Sequence, residues 1–128
     1  MPLVRIDLLE GKSAEYRRLL GNVVHAAMTA TINVPSDDRF QLITEHATSD
    51  FIVDAQYLGI QRSADCVIIQ ITLNDTRTVD QKRALYQTLA SELNRQLGLR
   101  REDVFVSLVE VRKENWSFGN GEAQYAPP

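Results

Sequence analysis

Pro2 is the residue of this sequence with the most distinctive chemistry within reach. Removal of Met1, which a small second residue permits, would leave Pro2 as a chain-terminal secondary amine at the start of an apolar strand. A free α-amino group titrates near ~8; burial in an apolar pocket lowers that value and a nearby carboxylate raises it, so one amine can serve as a general base or a general acid. Other chemistries are poorly provided for. His25, His46 and Cys66 have no Asp/Glu cluster at ligand spacing, so no metal site is expected. Both histidines read as surface residues, His25 off the apolar stripe of its helix and His46 in a polar loop. Cys66 has no partner for an internal disulfide, and its place in the run Cys66-Val67-Ile68-Ile69 reads as a buried reduced thiol. The pair Gly119-x-Gly121 is too short for a phosphate loop.

The elements that must hold Pro2 are written twice. A shift of 65 residues lays residues 3–45 on 68–110 without a gap and makes seven positions identical: Ile6/Ile71, Leu8/Leu73, Arg18/Arg83, Leu20/Leu85, Asp38/Asp103, Phe40/Phe105 and Glu45/Glu110. In the first copy, Val4, Ile6 and Leu8 alternate with Arg5 and Asp7, the pattern of a half-buried strand. Ser13 then offers an N-cap. Tyr16, Leu19, Leu20, Val23, Val24, Ala27 and Met28 follow helical spacing, Asn33 can end the helix in a left-handed conformation, and a turn over 34–38 leads to a strand containing Phe40, Leu42 and Ile43. In the second copy a strand over 66–73 is followed by Thr78-Val79-Asp80-Gln81, a capping box, and Leu85, Leu89, Leu93 and Leu97 line one helical face. Gly98 falls where the shift places Asn33, and an apolar strand over 104–111 closes the unit.

A strand, crossover helix and strand normally pair in parallel. The expected architecture is therefore α/β (α+β): one domain over 1–128, with repeat units at about 2–45 and 66–111 forming a four-stranded sheet and two helices on one face. Residues 45–65 read as loop and 112–128 as a C-terminal tail, so neither covers the second face of the sheet. Its strands are apolar on both sides, which predicts a homo-oligomer packed sheet to sheet. With 14 basic and 17 acidic residues the net charge is −3, giving no footprint for nucleic acid or anionic membranes. Charges within the first dozen residues and the absence of an 18-residue apolar run predict a soluble cytoplasmic protein.

The paired units, the start Met1-Pro2-Leu3, the segment Val34-Pro35-Ser36-Asp37-Asp38-Arg39-Phe40-Gln41, Arg77 ahead of the second helix and Trp116-Ser117-Phe118-Gly119 together resemble the tautomerase superfamily, in its malonate semialdehyde decarboxylase branch. The resemblance covers nearly the whole chain. It implies a homotrimer, no cofactor, a small carboxylate-bearing oxo-acid substrate and an amino-terminal proline as catalytic group, accompanied by Asp38 and by two arginines spaced Arg-x-Arg. The second of these falls on Arg77; the first falls on Asp75, a departure that puts a negative charge where the family has a cation. Trp116 and Phe118 would border the substrate.

Each assignment has a structural counterpart. Asp38 has Asp103 as its repeat partner, so both can be turn or cap residues. Arg77 has Lys12, and can be a solvated cation. Trp116 and Phe118 can close over a site or anchor the tail by packing. Beside decarboxylation of a 3-oxo acid stand keto–enol tautomerisation of a 2-oxo acid such as phenylpyruvate, hydration or dehalogenation of an unsaturated acid, and a non-catalytic trimer.

Overall fold

The computed structural model describes residues 2–128. Along the chain run β1 (Leu3–Leu9), α1 (Ala14–Thr31), β2 (Gln41–His46), β3 (Gln56–Tyr57), β4 (Ile60–Gln61), β5 (Val67–Asn74), α2 (Val79–Leu97) and β6 (Val104–Val111). The sheet order is β2-β1-β5-β6, parallel within each repeat unit and antiparallel where β1 meets β5. Local chemistry sets the helix ends as expected. Ser13 caps α1 by accepting from Tyr16 N, and Thr78 and Gln81 form a complete capping box on α2. Asn33 and Gly98 both take left-handed backbone, at φ 59° and 69°.

The repeat extends to individual bonds. Val4 pairs with Gln41 and Ile69 with Val106, positions related by the 65-residue shift. Glu10 N donates to His46 O at 2.9 Å, as Asp75 N does to Val111 O at 3.1 Å. The ion pair Arg17–Glu45 at 3.0 Å recurs as Lys82–Glu110 at 2.9 Å.

Val4, Ile6 and Leu8 from β1 and Val67, Ile69, Ile71 and Leu73 from β5 form one buried core with Leu20, Val24 and Met28 of α1 and Leu85, Leu89 and Leu93 of α2. Burying each such side chain contributes about 1.5–3 kcal/mol. Gly21 lets α1 approach β2: a Cβ there would lie 2.7 Å from Gln41 Oε1, and Gln41 Nε2 donates to Gly21 O at 2.8 Å. The opposite face of the sheet carries apolar side chains that the described residues leave partly open. Leu42, Phe105 and Val109 stand exposed on it at 46, 41 and 37%.

Three expectations are corrected. The segment 45–65 is not all loop: β3 and β4 form an antiparallel hairpin turned by Leu58 and Gly59, both at positive φ. Strands of two residues carry no periodicity, and leucine is not a turn residue by type. His25 is buried, 8% exposed, with Nε2 2.9 Å from Ser36 O. A carbonyl only accepts, so Nε2 carries the proton and the imidazole pins the turn after α1. His46 ends β2 half-buried, 2.6 Å from Asp7 Oδ1 and stacked on Phe51.

Cys66 is buried as expected, and burial, with Asp103 adding to it, pushes its thiol pKa up. Asp103 is fully buried; its carboxylate accepts from Ser63 N at 2.6 Å and Ser63 Oγ at 2.5 Å, with Arg100 3.8 Å away. Asp103→Ala, which leaves both Ser63 donors without this acceptor, is expected to destabilise the fold by about 2–4 kcal/mol in denaturant titration, with Asp103→Asn costing less.

Candidate active site

The site lies where β1 begins. Leu3 pairs with Thr72 of β5, and Val4 N donates to Phe40 O at 3.0 Å, so the first residues of β1 are tied on both sides. This fixes Pro2 between the entry to β2 and the exit of β5. Pro2 is buried, and with Leu3, Phe40, Trp116, Ser117 and Phe118 it lines a cavity of about 230 Å³.

The aromatic wall comes from the tail, which folds back on its own chain. Trp116 Nε1 donates to Asn74 Oδ1 at 2.8 Å, and Asn74 at the end of β5 is only 7% exposed. The Trp116 ring stacks on Phe118 at 5.5 Å, and Phe118 meets Tyr125 edge to face at 4.9 Å. Gln124 closes the loop: its Oε1 accepts from Phe118 N at 2.9 Å and its Nε2 donates to Gly119 O at 3.0 Å. Gly119, Asn120 and Gly121 all have positive φ, the reversal that permits this return. The two readings of Trp116 and Phe118 are therefore compatible, since packing of the tail is what makes them walls of the cavity.

Arg77, Asp38 and Asp75 lie outside the cavity lining, at the same end of the sheet. Arg77 is half-buried; its Nε donates to Ile32 O at 3.0 Å and Nη1 reaches Thr76 Oγ1 at 3.5 Å. A guanidinium on the last carbonyls of α1 complements the helix dipole and leaves further N–H groups for a ligand. Asp38 is half-buried in the turn after α1, its N donating to Pro35 O at 3.1 Å, and His25 holds that turn through Ser36. Asp75 is exposed in the turn from β5 to α2.

The sequence reading passed over Asn74, Tyr125 and Gln124, and took Phe40 only as a strand residue. Asn74 alone left a signal, as an amide at the end of an apolar strand. Among the described residues no group of three His, Cys, Asp or Glu could hold a metal ion, and no helix is long and apolar enough to cross a membrane.

A cavity lined by Pro2, with Asp38 and Arg77 at the same end of the sheet, would suit acid–base or iminium chemistry on a small anion were the Pro2 nitrogen a free amine. Comparison with known proteins gives the family. Two family profiles described as "Tautomerase enzyme" match residues 2–61 and 38–119. The chain is 44% identical over 124 residues to "Probable tautomerase YusQ" of Bacillus subtilis (strain 168), covering 97% of this chain and 98% of that one. A malonate semialdehyde decarboxylase, solved in wild-type, mutant and inactivated forms to explain its decarboxylase and hydratase activities, superposes with TM-score 0.90 at 32% identity over 96% of this chain and 95% of its own. A fused 4-OT, solved as a symmetric trimer, superposes with TM-score 0.78 at 25% identity over 96% of this chain and 97% of its own. The two-unit sheet, the buried Pro2 and these matches lead to one conclusion: the chain belongs to the tautomerase family.

Proposed function

We propose that the protein is a cofactor-free enzyme in which Pro2, freed by removal of Met1, acts as a secondary amine on a small 3-oxo acid of the malonate semialdehyde kind. Met1 itself lies outside the described residues. The observation that carries this reading is the burial of Pro2 at the wall of a cavity of about 230 Å³, a size for a substrate of a few heavy atoms. The likeness to a malonate semialdehyde decarboxylase supports the choice of substrate class.

In this mechanism the Pro2 nitrogen attacks the aldehyde carbon and water leaves, giving an iminium. The C–C bond to the carboxylate then breaks, carbon dioxide departs, and the electron pair is taken up by the C=N⁺ group. Protonation of the resulting enamine carbon and addition of water release acetaldehyde and restore the amine. Arg77 orients the carboxylate, Asp38 keeps the amine protonated or positions the water, and Trp116 and Phe118 exclude bulk solvent. Asp75 favours a second reading, since it withholds the second cation of the decarboxylase pattern: tautomerisation of a 2-oxo acid such as phenylpyruvate by neutral Pro2, or hydration of an unsaturated acid.

Leu42 and Val109, exposed on the outer face of the sheet, and the trimeric relative support a homotrimer as the working assembly. Sedimentation equilibrium should give about three times the subunit mass of 14.5 kDa, and a monomer at micromolar concentration would oppose it.

Untagged protein assayed on malonate semialdehyde and phenylpyruvate tests the reaction. Pro2→Ala is expected to lower turnover by at least ~100-fold with the fold intact; near-native turnover would remove Pro2 from the mechanism. In the same assay Arg77→Ala should weaken kcat/KM by about 2–4 kcal/mol, with lysine restoring only part of it because a point charge cannot reproduce the guanidinium fork.

A further inference from the structure

The internal repeat predicts a counterpart to the Pro2 cavity at the opposite end of the sheet, and the structure contains one. A cavity of about 300 Å³ is lined by Ile52, Val53, Tyr57, Arg62, Ile68 and Phe105. Under the 65-residue shift Leu3 becomes Ile68 and Phe40 becomes Phe105, and the tail residues Ser117 and Phe118 fall on Ile52 and Val53. The segment from Ile52 into the hairpin of β3 and β4 thus stands where the folded-back tail stands in the first cavity.

The chemistry has not been copied with the shape. Val67 occupies the position of Pro2 as an interior residue of the chain, with an amide nitrogen in place of an amine. Asp103, in the position of Asp38, is occupied by the two Ser63 donors. What this cavity has instead is Arg62. Its guanidinium is half-buried 5.8 Å from the Phe105 ring centroid and forms no hydrogen bond or ion pair among the described residues. Its backbone is fixed, with N donating to Ala55 O at 2.7 Å, and its side chain also borders the adjoining cavity of about 220 Å³ beside Phe51 and Cys66.

A half-buried cation with no hydrogen-bonded or ion-paired partner among the described residues, set in largely apolar walls, is complementary to an anion with an apolar body. Asp54 also lines the cavity, as an exposed residue, and disfavours a second negative charge. We propose that this cavity is a second, non-catalytic binding site for small apolar monocarboxylates, held by Arg62 and packed against Phe105 and Ile68. The ligand leaves unchanged, because the cavity has no amine in the position of Pro2 and its turn aspartate, Asp103, is engaged by Ser63.

Titration of isotope-labelled protein with phenylacetate, followed by NMR, tests the assignment. Saturable shifts are expected at Arg62 Nε–H and at the Ile68 and Phe105 amides. Arg62→Gln should weaken the response at Ile68 and Phe105 by at least ~10-fold while the indole N–H of Trp116, which reports the first cavity, responds as before. Neutral phenylacetamide on the native protein should bind there at least ~10-fold more weakly than phenylacetate, which keeps the test independent of how the variant folds. Absence of saturable shifts at Ile68 and Phe105 at about 10 mM phenylacetate, equal binding of the amide, or full binding by Arg62→Gln would overturn the proposal.

Discussion

The site depends on the placement of β1 as an interior strand of the sheet. β1 is parallel to β2 on one side and antiparallel to β5 on the other, and it is paired from Leu3 onward. A chain terminus ordinarily frays unless its first residues are tied into structure. Here the ties begin one residue after Pro2, so the proline ring enters the protein interior at a fixed position and its nitrogen inherits that position. Had β1 been an edge strand, or begun three residues later, the same residue would be a solvated end. Everything else at the site is arranged around that strand: Phe40 by the β2 pairing, and Asn74 with its indole partner by the end of β5.

Much of this was legible in the sequence because the fold is duplicated. A shift of 65 residues makes weak signals reinforce one another, so Asn33 is recognisable as a helix stop through Gly98, and the β1–β2 unit through the cleaner β5–β6 unit. What escaped lacks either a repeat or a period. The hairpin over Gln56–Gln61 has strands of two residues and a leucine at positive φ. His25 lies on the shoulder of its helix, and its burial is decided by a turn eleven residues on, through Ser36. The tail is irregular, and its return onto Asn74 is fixed by Trp116 and Gln124, contacts that no spacing rule encodes. The roles proposed for Asp38, Arg77, Asp75, Trp116 and Phe118 rest on the family resemblance and not on any spacing in the sequence.

The two ends of the sheet show how a duplicated fold can separate shape from chemistry. Both keep an apolar cavity roofed by a segment outside the repeat, the tail at one end and the hairpin at the other. At one end the strand opens with Pro2 and the turn aspartate is Asp38; at the other the strand is mid-chain and the aspartate has become a structural anchor for Ser63. Their cations differ too. Arg77 is seated on the carbonyl end of α1, whereas Arg62 leans on an aromatic ring. Burial fixes the core of both units alike, so the difference between the two cavities lies in a few polar side chains and in Pro2 standing where the other unit has Val67.

The central claim is that the Pro2 nitrogen is a free amine whose protonation state governs turnover. The most direct measurement is an NMR titration of protein labelled with ¹⁵N-proline, following the Pro2 nitrogen across pH alongside kcat/KM on malonate semialdehyde and phenylpyruvate. The account predicts an amine resonance whose titration midpoint coincides with the midpoint of the pH profile, activity lying below it if cationic Pro2 carries the reaction and above it if neutral Pro2 does. A non-titrating amide nitrogen at Pro2 in active protein, or a midpoint unrelated to the pH profile, would contradict it.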